Sequence, residues 1–140
     1  MHDAHIGYLM KTIHTQLKAN ADAELKRHGL TLTQGRVLCF LEQKGGEAAQ
    51  KEIEIHLSVS HPTAAGLVAR LSQGGFVLCR PNEKDKRNKL VTLTEKAWQL
   101  GRGMEQTIRT QEEKMLAGFS NEDVQRLQNA LETILHNLEQ

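Results

Sequence analysis

Arg80-Pro-Asn-Glu-Lys-Asp-Lys-Arg-Asn-Lys-Leu-Val-Thr-Leu-Thr94 sets a charged, strand-poor tip between a short apolar run and an alternating one. Phe76 to Leu78 has the aromatic and β-branched composition of a strand. Pro81 and Asn82 break it, and Leu90-Val-Thr-Leu93 resumes it. The pattern predicts a β-hairpin. Its tip carries Arg80, Lys84, Lys86, Arg87 and Lys89 against Glu83 and Asp85, a net +3. A charge run on a loop is usually solvated surface, so its meaning depends on what comes before it in the chain.

What precedes it is a series of helical patterns. Ile6, Leu9, Ile13, Leu17 and Leu25 recur at helical spacing, extended by Met10 and Ala21, and predict a long first helix to about Arg27 that Gly29 stops. Thr31-Leu-Thr33 offers hydroxyls to cap a second helix, which turns Val37, Leu38 and Leu41 inward and ends at Gly45-Gly46. Ala49 to Leu57 reads as a short third helix. Ser60 is placed to cap a fourth, with Pro62 in its first turn, Leu67, Val68 and Leu71 buried, and Gly74-Gly75 at its end. Two short helices followed by a basic hairpin is the order of a helix-turn-helix with a wing. Thr94 then caps a fifth helix to about Gly118, and Ser120 with Asp123 a sixth.

The fold class is therefore mainly α (α+β). A single domain of 140 residues holds a winged helix-turn-helix at 30–94, flanked by helical regions at 1–28 and 95–140. On the sixth helix Val124, Leu127, Leu131, Ile134 and Leu138 step by threes and fours, a seam that needs a partner helix. Ile6, Leu9 and Ile13 repeat the stepping at the other end of the chain. Both seams meeting within one chain accounts for part of that surface, and a homodimer built from both termini accounts for the rest.

Charge is uneven along the chain. The whole carries +1, but residues 95–140 hold five cations against eight acids, net −3, which leaves +4 in front. One surface suited to a polyanion and one unsuited to it is the simplest reading. No apolar run approaches a membrane span, and Met1-His2-Asp3-Ala4-His5 lacks the basic and apolar regions of a signal peptide, so a cytoplasmic protein without membrane contact is expected.

Four stretches, in this order, resemble the MarR family of bacterial transcriptional regulators over nearly the whole chain. Leu30-Thr-Leu-Thr-Gln34 resembles the opening of that family's second helix, and Gln50-Lys-Glu-Ile53 the start of its third. Gly75-Phe-Val77 with Arg80-Pro81 resembles its "GLV…RP" approach to the wing. Asp85-Lys-Arg87 with Leu93-Thr94 matches the wing signature DxR…LT, the most specific of the four.

The resemblance implies double-stranded DNA as a partner. It places the fourth helix in a major groove roughly 12 Å wide, with Ser60, His61 and Thr63 facing base edges. Arg70 would contact phosphate or base, or else pair with an acid. Arg87 would enter the minor groove with Asp85 holding it, while Lys84, Lys86 and Lys89 would meet phosphates. The dimer would form through Ile6, Leu9, Ile13, Leu127, Leu131, Ile134 and Leu138. A repressor on a pseudo-palindromic operator, released by a small-molecule effector, is the implied behaviour; no residue identifies the effector. The chain departs from the family pattern at Gly66, at Cys79 in place of arginine and at Ala97 in place of glycine. With Ala64 and Ala65 beside Gly66, sparse base readout that leans on thymine methyls and DNA shape is expected.

Other chemistry finds little footing. No P-loop, GxGxxG, GxSxG or HExxH is present, so no enzyme and no cofactor are expected. The histidines are scattered, with only His2 and His5 close together, and a metal is not expected. Cys39 and Cys79 form no CxxC pair and read as buried thiols, Cys39 on the apolar face of the second helix. From another class, the competing function is a winged-helix scaffold that uses the wing for protein contacts.

Overall fold

A computed structural model describes residues 5–140. His2, and the leader reading based on the first residues, lie outside the described residues. The order is α1 (Ile6–Arg27), α2 (Leu32–Gln43), β1 (Glu47–Ala49), α3 (Gln50–Leu57), α4 (His61–Gln73), β2 (Val77–Asn82), β3 (Asp85–Leu93), α5 (Glu95–Met115) and α6 (Asn121–Leu138). The chain divides into two compact units, one ending at Arg102 and the other Gly103–Gln140.

In the first unit, local chemistry sets the helix boundaries. Thr31 and Gln34 form a reciprocal cap. Thr31 N–H donates to Gln34 Oε1 at 2.8 Å and Gln34 N–H to Thr31 Oγ1 at 3.2 Å. This use of its amide lets Gln34 sit buried at the start of α2. Val37, Leu41, Ile53, Leu71, Val77 and Val91 are the largest fully buried side chains, drawn from α2, α3, α4 and both long strands. The core thus fastens the helix-turn-helix to the hairpin.

Three predicted details differ. First, the sheet has three strands in the order β1-β3-β2, with Glu47 opposite Thr92, Ala48 opposite Val91 and Ala49 opposite Leu90. Ala49 therefore ends a strand, and α3 starts one residue later, where Glu52 Oε2 accepts from Ala49 N–H at 2.8 Å. Second, β2 runs through Pro81 and Asn82 and β3 starts at Asp85, so most of the basic tip is strand. Pro81 is tolerated because β2 is an edge, with a register shift between Pro81 and Asn82. Third, Leu67 is only half-buried, and Ala64, Val68 and Leu71 form the inward stripe of α4.

Gly46 carries the chain from α2 to β1 with φ +107°, and a Cβ there would stand 2.9 Å from Cζ2 of Trp98. Its carbonyl accepts from Leu93 N–H at 2.8 Å, which closes the sheet edge. α1 buries only Leu25 and leaves Ile6, Leu9, Met10 and Ile13 exposed.

In the second unit, Gly118 takes φ +89° after α5, and Ser120 and Asp123 form a second reciprocal cap at 3.0 and 3.1 Å. α6 has no buried residue. Along its seam Leu127 is 37%, Leu131 43% and Leu138 77% exposed, and Ile134 is half-buried. Among the described residues, no helix is long and apolar enough to cross a membrane.

Candidate nucleic-acid interface

The turn between α3 and α4 is made by Ser58, the one described non-glycine residue with positive φ, at φ 55° and ψ 46°. Ser60 then caps α4, its Oγ accepting from Thr63 N–H at 3.3 Å and donating to Thr63 Oγ1 at 3.0 Å. Pro62 lies in the first turn, where its missing N–H leaves no hydrogen bond unmade. The start of α4 thus presents Ser60, His61 and Thr63 side by side on an exposed surface. Arg70 is exposed on the last turn, and among the described residues it makes no ion pair, so the alternative acid partner is absent there.

His61 is anchored from α3. Its Nδ1 lies 2.8 Å from Oε2 of Glu54 and 3.4 Å from Nε2 of Gln50, which is itself buried. A spacing of seven residues across a turn gave no sequence signal for this contact.

The hairpin is organised by two short side chains. Asn82 Oδ1 accepts from Lys84 N–H at 3.0 Å, and Asp85 Oδ1 accepts from Arg87 N–H at 3.1 Å. Asp85 therefore holds the backbone of Arg87. Asn88 Oδ1 accepts from Lys51 N–H at 3.1 Å, tying β3 to the first turn of α3. Neither partner choice is readable from local sequence, because the contact spans 37 positions.

Charge in the wing splits into two classes. Arg80 is committed to Glu47, Nη2 to Oε2 at 2.7 Å, and Thr92 Oγ1 donates to the same oxygen at 2.7 Å. The Thr92 bond, with Arg80 behind it, holds the Glu47 carboxyl below its ordinary pKa. Lys84, Lys86, Arg87 and Lys89 are exposed and, among the described residues, unpaired with any acid. Four cations, not five, are therefore available at the tip.

Both cysteines are exposed, contrary to their reading as buried thiols. The buried stripe of α2 is Gln34, Val37, Leu38 and Leu41, and Cys39 is rotated off it by one residue. Cys79 lies on the edge strand β2, where partial burial of the thiol raises its pKa against a smaller pull from Lys89. Among the described residues, no group of three or more His, Cys, Asp or Glu is gathered as for a metal ion.

Comparison with known proteins agrees with this arrangement. A family model described as MarR family matches residues 28–88. The HTH-type transcriptional repressor IacR of Pseudomonas putida is 30% identical over 132 residues, covering 94% of this chain and 78% of that protein. The uncharacterized HTH-type transcriptional regulator YwoH of Bacillus subtilis is 38% identical over 103 residues, 74% of each. Among solved structures, the Staphylococcus aureus MepR–DNA complex superposes with a TM-score of 0.78 at 25% identity, covering 94% of this chain and 98% of that one. MepR itself, as a transcription regulator of a multidrug efflux pump, gives 0.84 at 23% identity over 96% of this chain and 99% of that one. The chain belongs to the MarR family of helix-turn-helix transcriptional regulators.

Proposed function

We infer that this regulator acts in the cytoplasm as a homodimeric repressor on a pseudo-palindromic operator. α4 serves as the recognition helix, with Ser60, His61, Thr63 and Arg70 toward DNA. Arg87 enters the minor groove, and Lys84, Lys86 and Lys89 meet the backbone. The observation that carries this reading is the set of four cations that pair with no acid among the described residues, on a hairpin held by Asp85 and Asn88 and preceded by a helix whose start is capped and exposed. A cation with no acid partner has its full charge available for a phosphate.

The lobe at 30–94 makes the DNA contacts, and the helices at 1–28 and 95–140 make the dimer. The exposed apolar steps Ile6, Leu9 and Ile13 on α1, and Leu127, Leu131, Ile134 and Leu138 on α6, support that division. Two recognition helices must sit about 34 Å apart to meet successive major grooves. A small molecule that binds a different spacing more tightly lowers DNA affinity by linkage. That IacR is a transcriptional repressor and that MepR has been solved in complex with DNA accord with this behaviour.

Fluorescence anisotropy with duplex DNA from upstream of the protein's own gene, beside a scrambled duplex, tests the proposal over a salt series. Tight binding that favours the native duplex and weakens steeply with salt is expected. Equal, weak binding to both overturns it in favour of a protein-contact scaffold.

A further inference from the structure

The contact between His61 and Glu54 fixes more than position. Oε2 of Glu54 stands 2.8 Å from Nδ1, with the Glu54 side chain 18% and the His61 side chain 66% exposed. An ionised carboxylate only accepts hydrogen bonds. A bare Nδ1 at that distance would oppose two lone pairs, so the ring hydrogen stands on Nδ1 and is donated to Glu54. Gln50 does not replace it. Its Nε2 is 3.4 Å from Nδ1 and donates to the same Oε2 at 3.4 Å, so the shorter carboxylate contact decides. A neutral imidazole protonated on Nδ1 carries its lone pair on Nε2, at the far side of the ring.

We propose that Glu54 is a positioning residue that makes the neutral ring of His61 a hydrogen-bond acceptor at Nε2, so that at mildly alkaline pH the protein selects cytosine or adenine at one position of each half-site. This rests on α4 being the recognition helix. In the major groove cytosine presents its N4 amino group and adenine its N6 amino group. Guanine and thymine present only acceptor atoms along their own edges, and these would face the Nε2 lone pair. The Ser60 hydroxyl is already engaged in capping α4, and the Thr63 hydroxyl rotates to donate or accept, so neither discriminates in this way. Among the described residues Glu54 is the one ionisable group in contact with His61, so the selectivity depends on that carboxylate.

Two measurements test it at mildly alkaline pH. A proton–nitrogen correlation spectrum of the free wild-type ring should show a pyrrole-type Nδ1 and a pyridine-type Nε2. Selection from a randomised duplex pool should yield a motif in which one position per half-site favours cytosine or adenine by about three- to ten-fold. Both His61→Ala and Glu54→Gln should abolish that preference and leave the rest of the motif in place, because a glutamine amide can donate as well as accept. A wild-type ring protonated on Nε2, a His61-dependent preference for guanine or thymine, or a preference unmoved by Glu54→Gln overturns the proposal while the recognition-helix reading stands. A wild-type protein that enriches no motif at all overturns both.

Discussion

Arg87→Ala gives the sharpest quantitative test of the wing. The side chain is exposed, unpaired among the described residues, and carried on a backbone held by Asp85 through a 3.1 Å bond, so its removal leaves the hairpin's hydrogen bonds intact. On the proposed homodimer, two copies are lost. A cation in the minor groove lies between two phosphate rows and displaces counterions as one at the backbone does, about 0.9 each in the slope of log affinity against log salt, so the slope should fall by about 1.8. Extrapolated from about 1 M salt to roughly 0.15 M, that amounts to about 5-fold per cation and about 30-fold in affinity for the dimer. Anisotropy titrations over a salt series measure both quantities. Arg126→Ala supplies the control, since it removes the same charge from α6, where Glu122 and Asp123 already face the guanidinium at 3.5 and 3.8 Å. An unchanged slope for Arg87→Ala refutes the wing assignment. Equal losses in both variants refute it as well, because net charge alone would then explain the effect.

Asn88→Ala should cost about 0.5–1 kcal/mol of stability, yet weaken DNA binding several-fold, because it unties β3 from α3; hydrogen exchange at the Lys51 amide should accelerate, and an unaltered amide would refute the tie. Leu131→Glu should give a monomer by sedimentation velocity and abolish tight DNA binding with it; a monomer that still binds tightly would contradict the dimer. Gly66→Ala should raise thermal stability by about 0.5–1 kcal/mol, since a Cβ there meets nothing within 4 Å in the free protein; a lowered melting temperature would be the contrary result. Glu47 is held below its ordinary pKa in the folded state, so its contribution is present above the unfolded carboxylate pKa and is lost as pH falls through the folded one. The advantage of wild type over Glu47→Gln should therefore shrink on acidification, and a pH-independent difference in melting temperature would disprove it.

Those features fixed by near neighbours were legible in the sequence. The Thr31–Gln34, Ser60–Thr63 and Ser120–Asp123 caps each close within four residues, so the helices they start can be read from local sequence. What the sequence concealed depends on long-range pairing. Glu47-Ala-Ala49 has neither aromatic nor β-branched residues and is a strand only because Leu90, Val91 and Thr92 pair with it. Arg80 counts as a free cation until Glu47, 33 positions away, is brought beside it. Cys39 sits one step round the helical wheel from buried Leu38, about 100° away, a distinction that apolar spacing alone does not draw. For the candidate interface, the residue types at the start of α4 and at the wing tip were evident. The supports behind them, Glu54 and Asn88, were not, since no local periodicity marks a side chain that reaches across a turn or between a strand and a helix.

α1 spans 22 residues and buries one. A helix with so little packing of its own would gain order from any surface that covered Ile6, Leu9 and Ile13, and a second copy of the chain is available only in proportion to its concentration. If that copy is the cover, the regulator's abundance sets its own lifetime. Scarce chains would spend more time with the leading turns of α1 unwound and open to proteases, while abundant chains would shelter one another. Turnover would then respond to copy number with no additional factor, and a cell that cuts synthesis would clear the remainder faster than dilution alone.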